Sequence, residues 1–243
     1  MSIFAIADLH LSGHRPKPMD VFGRKWANHW EKVQTAWRER VGPEDTVLIP
    51  GDISWAMTLE EAKVDLQAIA ALPGQKVLLR GNHDYWWSSA NRVRQHLPPG
   101  MALIQNDSMT IGSAVVCGTR GWTCPGSSSW EGAADERIYQ REIIRLGLTL
   151  EAASRLNGQR LIVMLHYPPF NERQETSGFT ELVERYGVHH VLYGHLHNVA
   201  PGTAFEGERN GIQYNLVACD YLDFVPRLVY EEPAAPVEGS VQA

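Results

Sequence analysis

The sequence predicts an α/β domain built on a largely parallel sheet, and three observations carry that prediction. Short apolar runs alternate with helical patterns along most of the chain. The 243 residues suffice for one large domain or two small ones, and either can bury a full core. Apolar residues make up 44% and charged residues 21%, with eight Trp, eight Tyr and six Phe available for burial, so the body is not intrinsically disordered.

Taken in order, Ile3 to Ala7 is an apolar run that reads as a buried strand. Trp26, Trp30, Val33 and Trp37 recur at helical spacing and predict one amphipathic helix. Thr46 to Ile49 is the second strand. Thr58 followed by Glu61 has the spacing of a capping box, and Leu59, Ala62, Leu66 and Ile69 continue as a helical stripe. Pro73-Gly74 stops that helix, and Lys76 to Leu79 is the third strand. Met109 to Thr119 reads as strands joined at Gly112, followed by a Gly/Ser-rich stretch from Gly121 to Ser129. Two helices are expected next, at Ala133 to Leu146 and at Thr149 to Asn157, before a strand at Leu161 to Leu165. Phe179, Leu182, Val183 and Tyr186 form a further helical stripe that Gly187 ends. The remaining strands are His190 to Tyr193, Thr203 to Phe205, Gln213 to Ala218 and Arg227 to Tyr230. No repeat and no long linker interrupts the pattern, so residues 1–230 read as a single domain. The stretch 231–243, rich in Pro, Ala, Gly and acid, reads as a disordered tail.

Composition also narrows function. Lys and Arg number 22 against 28 Asp and Glu, a net charge of −6 that gives no general attraction for nucleic acid or other polyanions. Cys117, Cys124 and Cys219 are odd in number and lack C-x-x-C spacing, which argues against a disulfide scaffold or thiolate zinc site and fits a reducing, cytoplasmic setting. The longest aliphatic stretch, Leu161 to Leu165, is far short of the roughly 20 residues of a membrane span. No signal peptide is expected, because Asp8 interrupts the first apolar run.

Five apolar runs end alike. The first runs into Asp8-Leu-His10, the second into Gly51-Asp52, and the third into Gly81-Asn82-His83-Asp84. Leu161 to Leu165 runs into His166, and Val191 to Tyr193 runs into Gly194-His195-Leu-His197. In an open α/β sheet, ligands gather beyond the carboxyl ends of the strands, so all of these side chains are expected at one rim. Glycines 51, 81 and 194 permit the tight turns such a rim needs. Each motif alone is weak: Asp-x-His pairs are common, and Asn and Asp favour turns. Five together are not, because converging polar groups are costly to desolvate unless something binds them.

Seven residues are thus candidate metal ligands: Asp8, His10, Asp52, Asn82, His166, His195 and His197. Imidazole, carboxylate and amide oxygen without thiolate suit divalent manganese first, with iron, zinc, cobalt or nickel as alternatives. Seven is too many for one tetrahedral ion and suits two divalent ions sharing a carboxylate. Such a pair, about 3.5–4 Å apart, clamps an in-line displacement at phosphorus and makes a hydroxide nucleophile available near neutral pH.

In order and spacing, these blocks resemble those of the calcineurin-like metallophosphoesterases over roughly residues 3 to 200. The resemblance implies a four-layer α/β/β/α sandwich of two mixed sheets flanked by helices, with a binuclear centre between the sheets. It implies that Asp8, His10 and His197 hold one metal, that Asn82, His166 and His195 hold the other, and that Asp52 bridges. It further implies that His83 contacts the phosphate or protonates the leaving oxygen, with Asp84 orienting its ring. Protein Ser/Thr phosphatases of the superfamily carry Asp-Arg shortly after the bridging Asp and end the third block in Glu. Here Ile53-Ser54-Trp55 follows Asp52 and the third block ends in Asp84, which resembles bacterial small-substrate members instead.

The reading is therefore a metal-dependent phosphohydrolase on small phosphoesters, with phosphodiesters slightly favoured over monoesters. Nuclease activity at the same site and a non-catalytic interaction module are the alternatives, the latter disfavoured because no ligand is missing. Trp55, Trp86 and Trp122 are candidate walls for a base or aryl leaving group, against the plainer reading as packing residues. Arg80 and Arg120 are candidates for phosphate binding.

Overall fold

A computed structural model describes residues 1–200 and 202–233, and the expected tail from 234 onward lies outside the described residues. The first sheet contains β1 (Ser2–Ala5), β2 (Thr46–Pro50), β3 (Gln75–Leu79), β4 (Met101–Ile104) and β11 (Arg227–Glu231), in the order β11-β1-β2-β3-β4. The second contains β5 (Asp107–Ile111), β6 (Ala114–Gly118), β7 (Arg160–Met164), β8 (His190–Tyr193), β9 (Gly207–Arg209) and β10 (Ile212–Leu216), in the order β5-β6-β7-β8-β10-β9. Both are mixed. Strand β11 runs antiparallel to β1, and β5 and β9 run antiparallel to β6 and β10, while the interior strands are parallel.

The unbroken apolar runs follow from burial on both faces. Because successive side chains point to opposite faces, Ile3 and Ala5 of β1 enter a central cluster with Leu48, Val77, Val116, Ile162, Met164 and Leu192. This cluster glues the two sheets together. The alternate residues Phe4, Val47, Ile49 and Leu78 face outward under α1 (His29–Arg40) and α2 (Leu59–Ala70). On the far side, Val115, Cys117, Val163, Val191 and Tyr214 lie under α4 (Ala133–Ala153) and α5 (Gly178–Arg185). The result is the four-layer α/β/β/α sandwich. Each of these large aliphatic side chains contributes roughly 1.5–3 kcal/mol by leaving water.

Local signals hold where their chemistry is explicit. Thr58 caps α2 by accepting from the Glu61 amide while the Glu61 carboxylate accepts from the Thr58 amide, a complete capping box. Gly112 turns β5 into β6 at φ +54°, and Gly187 follows α5 at φ +61°.

Several boundaries differ from expectation. Trp26 lies in a separate 3-10 turn, because Asn28 in a left-handed conformation breaks the stripe before α1. The two helices expected across residues 133–157 are one, with Gly147 inside it against Leu182 of α5. Burial of Tyr139, Leu146, Leu150 and Ala153 along this helix outweighs the ~1 kcal/mol that glycine costs it. Thr203 to Phe205 forms no strand, and the edge strand is β9 instead. The short helix α3 (Ala90–Arg94) and β4 are not among the expected elements. Strand β11 includes Glu231, and the Glu232 amide donates to the Met1 carbonyl, so ordered pairing extends past the expected boundary at 230.

Candidate metal centre

Strands from both sheets deliver the five blocks to one place. The Asp8 amide donates to the Gly51 carbonyl and the His10 amide to the Asp52 carbonyl, which ties the chain after β1 to the chain after β2. An isolated bridge between Ala7 and Ala218 joins β1 to the chain after β10 across the two sheets. Asp8, His10, Asp52 and His195 all adopt left-handed backbone conformations, with φ of 60°, 46°, 51° and 71°. Such conformations cost roughly 1–3 kcal/mol each and persist only where surrounding bonds enforce them. The glycines serve close approach as expected. A Cβ on Gly51 would strike His166, one on Gly81 would strike Asp52, and one on Gly194 would strike the Asp8 carboxylate.

The donor atoms fall into two overlapping groups. In the first, His10 Nε2 and His197 Nε2 are 3.2 Å apart, and His197 Nε2 is 3.7 Å from Asp8 Oδ1. In the second, Asn82 Oδ1 lies 2.6 Å from His166 Nε2 and 3.0 Å from His195 Nδ1. Asp52 Oδ2 faces both, 3.8 Å from His10 Nε2 and 3.5 Å from His166 Nε2. Asp8, His10 and His197, and likewise Asp8, Asp52 and His166, are close enough to hold an ion. All seven predicted ligands are therefore brought together.

The chemistry of this set fits a cation. His166 donates Nδ1–H to the Pro50 carbonyl at 3.0 Å, and burial pushes its pKa down to about 3, so the ring is neutral with a lone pair on Nε2. That lone pair faces the Asn82 carboxamide oxygen. With the oxygen turned inward as here, a shared cation is what reconciles two acceptors at that distance. Burial lifts the carboxyls of Asp8 and Asp52 above the usual range and depresses His10, while His195 falls to about 3 for the same reason. Two buried acids among three neutral imidazoles, His10, His166 and His195, favour a positive charge beside them.

Asp220 is a residue that sequence reasoning missed. Its buried carboxylate accepts from His197 Nδ1 at 2.8 Å and from the Asn198 amide at 2.9 Å. Burial alone pulls the His197 pKa down, but the hydrogen bond to Asp220 and the charges of Asp8, Asp220 and Asp52 outweigh it and raise it to about 9. The bond fixes the ring so that Nε2 points at the donor cluster. The signal is present, since the apolar run Leu216-Val217-Ala218-Cys219 leads straight into Asp220, a sixth instance of the same pattern. The Asp220→Asn variant is expected to hold metal about 10–100-fold more weakly with the fold retained. Competition with a chelator measures this, and unchanged affinity would remove Asp220 from the site.

The flanking residues sort less simply. The His83 amide donates to Asp52 Oδ1 at 2.8 Å, and its half-exposed ring leans on Trp55 with centroids 4.7 Å apart. Asp84 does not orient that ring. Its buried carboxylate accepts instead from the amides of Ile53, Ser54 and Gly81 and from the Trp86 indole, bracing the loops after β2 and β3 against each other. Burial, with the Asp52 charge adding, raises the Asp84 carboxyl to about 7. His83 Nδ1 lies 3.3 Å from the Tyr85 hydroxyl.

Of the candidate walls, Trp55 stands at the site, stacked on His10 with centroids 4.8 Å apart. It borders a cavity of about 100 Å³ shared with His10, His83, His197 and Trp26. Trp86 is buried, so it is a packing residue and not a wall. Trp122 stands behind Tyr167, whose ring packs 4.2 Å from that of His195. A second cavity, about 200 Å³, is lined by His195, Tyr167, Phe170, Leu196 and Phe205. Arg120 offers its carbonyl to the His166 and Tyr167 amides, while its guanidinium lies over the Trp122 ring.

An α/β/β/α sandwich whose strand ends gather His, Asp and Asn donors in two groups that both face Asp52 has the donor set of a metal-dependent phosphoesterase. Residues 1–199 match the family model of the calcineurin-like phosphoesterases, and the chain belongs to that family, whose members typically bind two divalent metals. Over 88 residues it is 39% identical to the Gene 66 protein of Mycobacterium phage D29, a match covering 34% of this chain and 40% of that protein, less than half of its length. Its fold is similar to that of the phosphopantetheinyl hydrolase of Mycobacterium tuberculosis (TM-score 0.57, 17% identity, 97% of this chain and 98% of that one). A protein of unknown function from Aquifex aeolicus is also similar (TM-score 0.50, 16% identity, 93% of this chain and 95% of that one).

Proposed function

We propose that the chain, acting as one domain over residues 1–230, hydrolyses small phosphoesters, phosphodiesters before monoesters. It would do so on two divalent ions, manganese first. Asp8, His10 and His197 would hold one ion, Asn82, His166 and His195 the other, and Asp52 would bridge. The observation that carries this reading is the Asp52 carboxylate, one oxygen of which, Oδ2, faces His10 of one group and His166 of the other within 4 Å. When bound, such a pair supplies Lewis acidity at the phosphoryl oxygens and makes water a better nucleophile.

The chain's own residues would do the rest. His83, anchored by its amide to Asp52 and carrying a half-exposed ring, would hydrogen-bond the phosphoryl group or protonate the departing oxygen. Trp55 would shield that side and stack an aromatic leaving group. The cavities bordered by His197 and by His195 flank the donor cluster, and a diester has two arms to place. Three free, buried cysteines support a reducing, cytoplasmic setting. No helix among the described residues is long and apolar enough to cross a membrane.

The test compares aryl diesters, aryl monoesters, cyclic nucleotides and linear nucleic acids with manganese present, for the wild type and His83→Ala. Small diesters are expected to react fastest, and the variant to lose about 10²–10⁴-fold in kcat with its metal content unchanged. Preference for nucleic acid, or near-wild-type turnover by the variant, would overturn the reading.

A further inference from the structure

A third cavity, about 150 Å³, has a different chemistry. It lies where β3 and β6 end and is lined by Leu79, Arg80, Gln105, Asn106, Thr119, Arg120, Glu142 and Arg145. Three guanidinium groups therefore meet one carboxylate. That carboxylate is already engaged: Glu142 is buried in α4, accepts from Arg145 at 2.5 Å and from the Thr119 hydroxyl. Arg80 and Arg120 form no ion pair with any described residue. The Arg80 Nε is buried with no hydrogen-bond partner, and the Arg120 guanidinium rests on the Trp122 face at 4.7 Å.

Arginine cannot escape this situation by losing its proton. A buried guanidinium donor left unmatched forfeits its hydration with nothing in return. Two part-buried arginines line one polar space whose lining carboxylate is occupied, and they carry the forked donors that recognise phosphate and similar oxyanions. The cavity adjoins the donor cluster through the main chain: Arg80 directly precedes Gly81-Asn82, and the Arg120 carbonyl accepts from the His166 and Tyr167 amides.

We propose that the Arg80–Arg120–Arg145 cavity is an oxyanion subsite, separate from the metal ligands, that takes a phosphate-type group. The oxyanion is either free in solution or a second anionic group on the substrate. The substrate-borne case rests on the phosphohydrolase reading above; the binding site itself does not.

The experiment titrates inorganic sulfate into the metal-loaded wild type and into Arg80→Gln, Arg120→Gln, Arg80→Lys and Asp52→Asn, by calorimetry, with near-UV circular dichroism to verify folding. Saturable binding is expected in the wild type and in Asp52→Asn, at least about tenfold weaker in both Gln variants, and partly restored in Arg80→Lys. Equal binding in folded Gln variants, or no saturable binding in the wild type, would overturn the proposal. A kinetic arm assigns the source with adenosine 5′-monophosphate and adenosine 3′,5′-bisphosphate. A rise of about tenfold in the ratio of bisphosphate to monophosphate KM in the Gln variants marks a substrate-borne anion. An unchanged ratio alongside lost sulfate binding marks a free one. If Asp52→Asn binds sulfate while the wild type hydrolyses no phosphoester, the phosphohydrolase reading fails and the subsite stands.

Discussion

Asp52→Asn is expected to lower kcat/KM for a small phosphoester by roughly three orders of magnitude, about 4 kcal/mol of transition-state stabilisation. The substitution is chosen for its backbone. Asp52 sits at φ +51°, which asparagine tolerates, so the turn after β2 should survive. What disappears is the negative charge that faces His10 on one side and His166 on the other. Metal content measured on the folded variant should fall below that of the wild type. Activity within tenfold of wild type with full metal content would show that Asp52 is not the shared ligand.

Gly81→Ala is expected to be nearly as damaging without changing a ligand. A Cβ there would fall on the amide nitrogen and carboxylate of Asp52, neither of which can move without dragging the β2 turn with it. Overpacking of this kind costs about 1–3 kcal/mol of stability. Displacing a site by about 1 Å costs about 100-fold in rate, so activity should fall at least that far. Gly147→Ala is the contrast. Its Cβ would meet only Leu182 side-chain atoms at 3.9–4.0 Å, and alanine should gain about 1 kcal/mol inside α4. Urea midpoints and turnover measured together separate the two, and a Gly81→Ala protein of normal activity would refute the packing argument.

Much of the centre is legible in the sequence because each ligand block follows an apolar run; β2, β3 and β8 end where those runs end, and β7 ends one residue before. What position along the chain does not encode is side-chain direction. Trp86 stands two residues from Asp84 and three from His83, yet it points into the core and donates to the Asp84 carboxylate, while Trp55 faces the cavity beside His10. Asp84 was legible as part of the third block and misread in role, because two loops distant in sequence compete for its oxygens. Asp220 followed the same rule as the other acids but lacked the histidine or glycine that draws attention to a block. The single long α4 was hidden by Gly147, whose intrinsic cost is offset by packing that only the tertiary fold supplies. The two unmatched arginines are visible as residues, and their shared cavity is not.

The interface between the two sheets has one more consequence. Asp8, His10, Asp52 and Asn82 ride on the first sheet and His166, His195 and His197 on the second, so the spacing of the donor groups is set by a layer of Ile3, Ala5, Val116, Met164 and their neighbours. That layer works as a gauge block between two plates. Any swelling of it, by heat, pressure or a substitution remote from every ligand, changes the gap across which the ligands meet while each sheet stays hydrogen-bonded. On warming, turnover should vanish at a temperature where the backbone signal is still native, since local loosening precedes global melting.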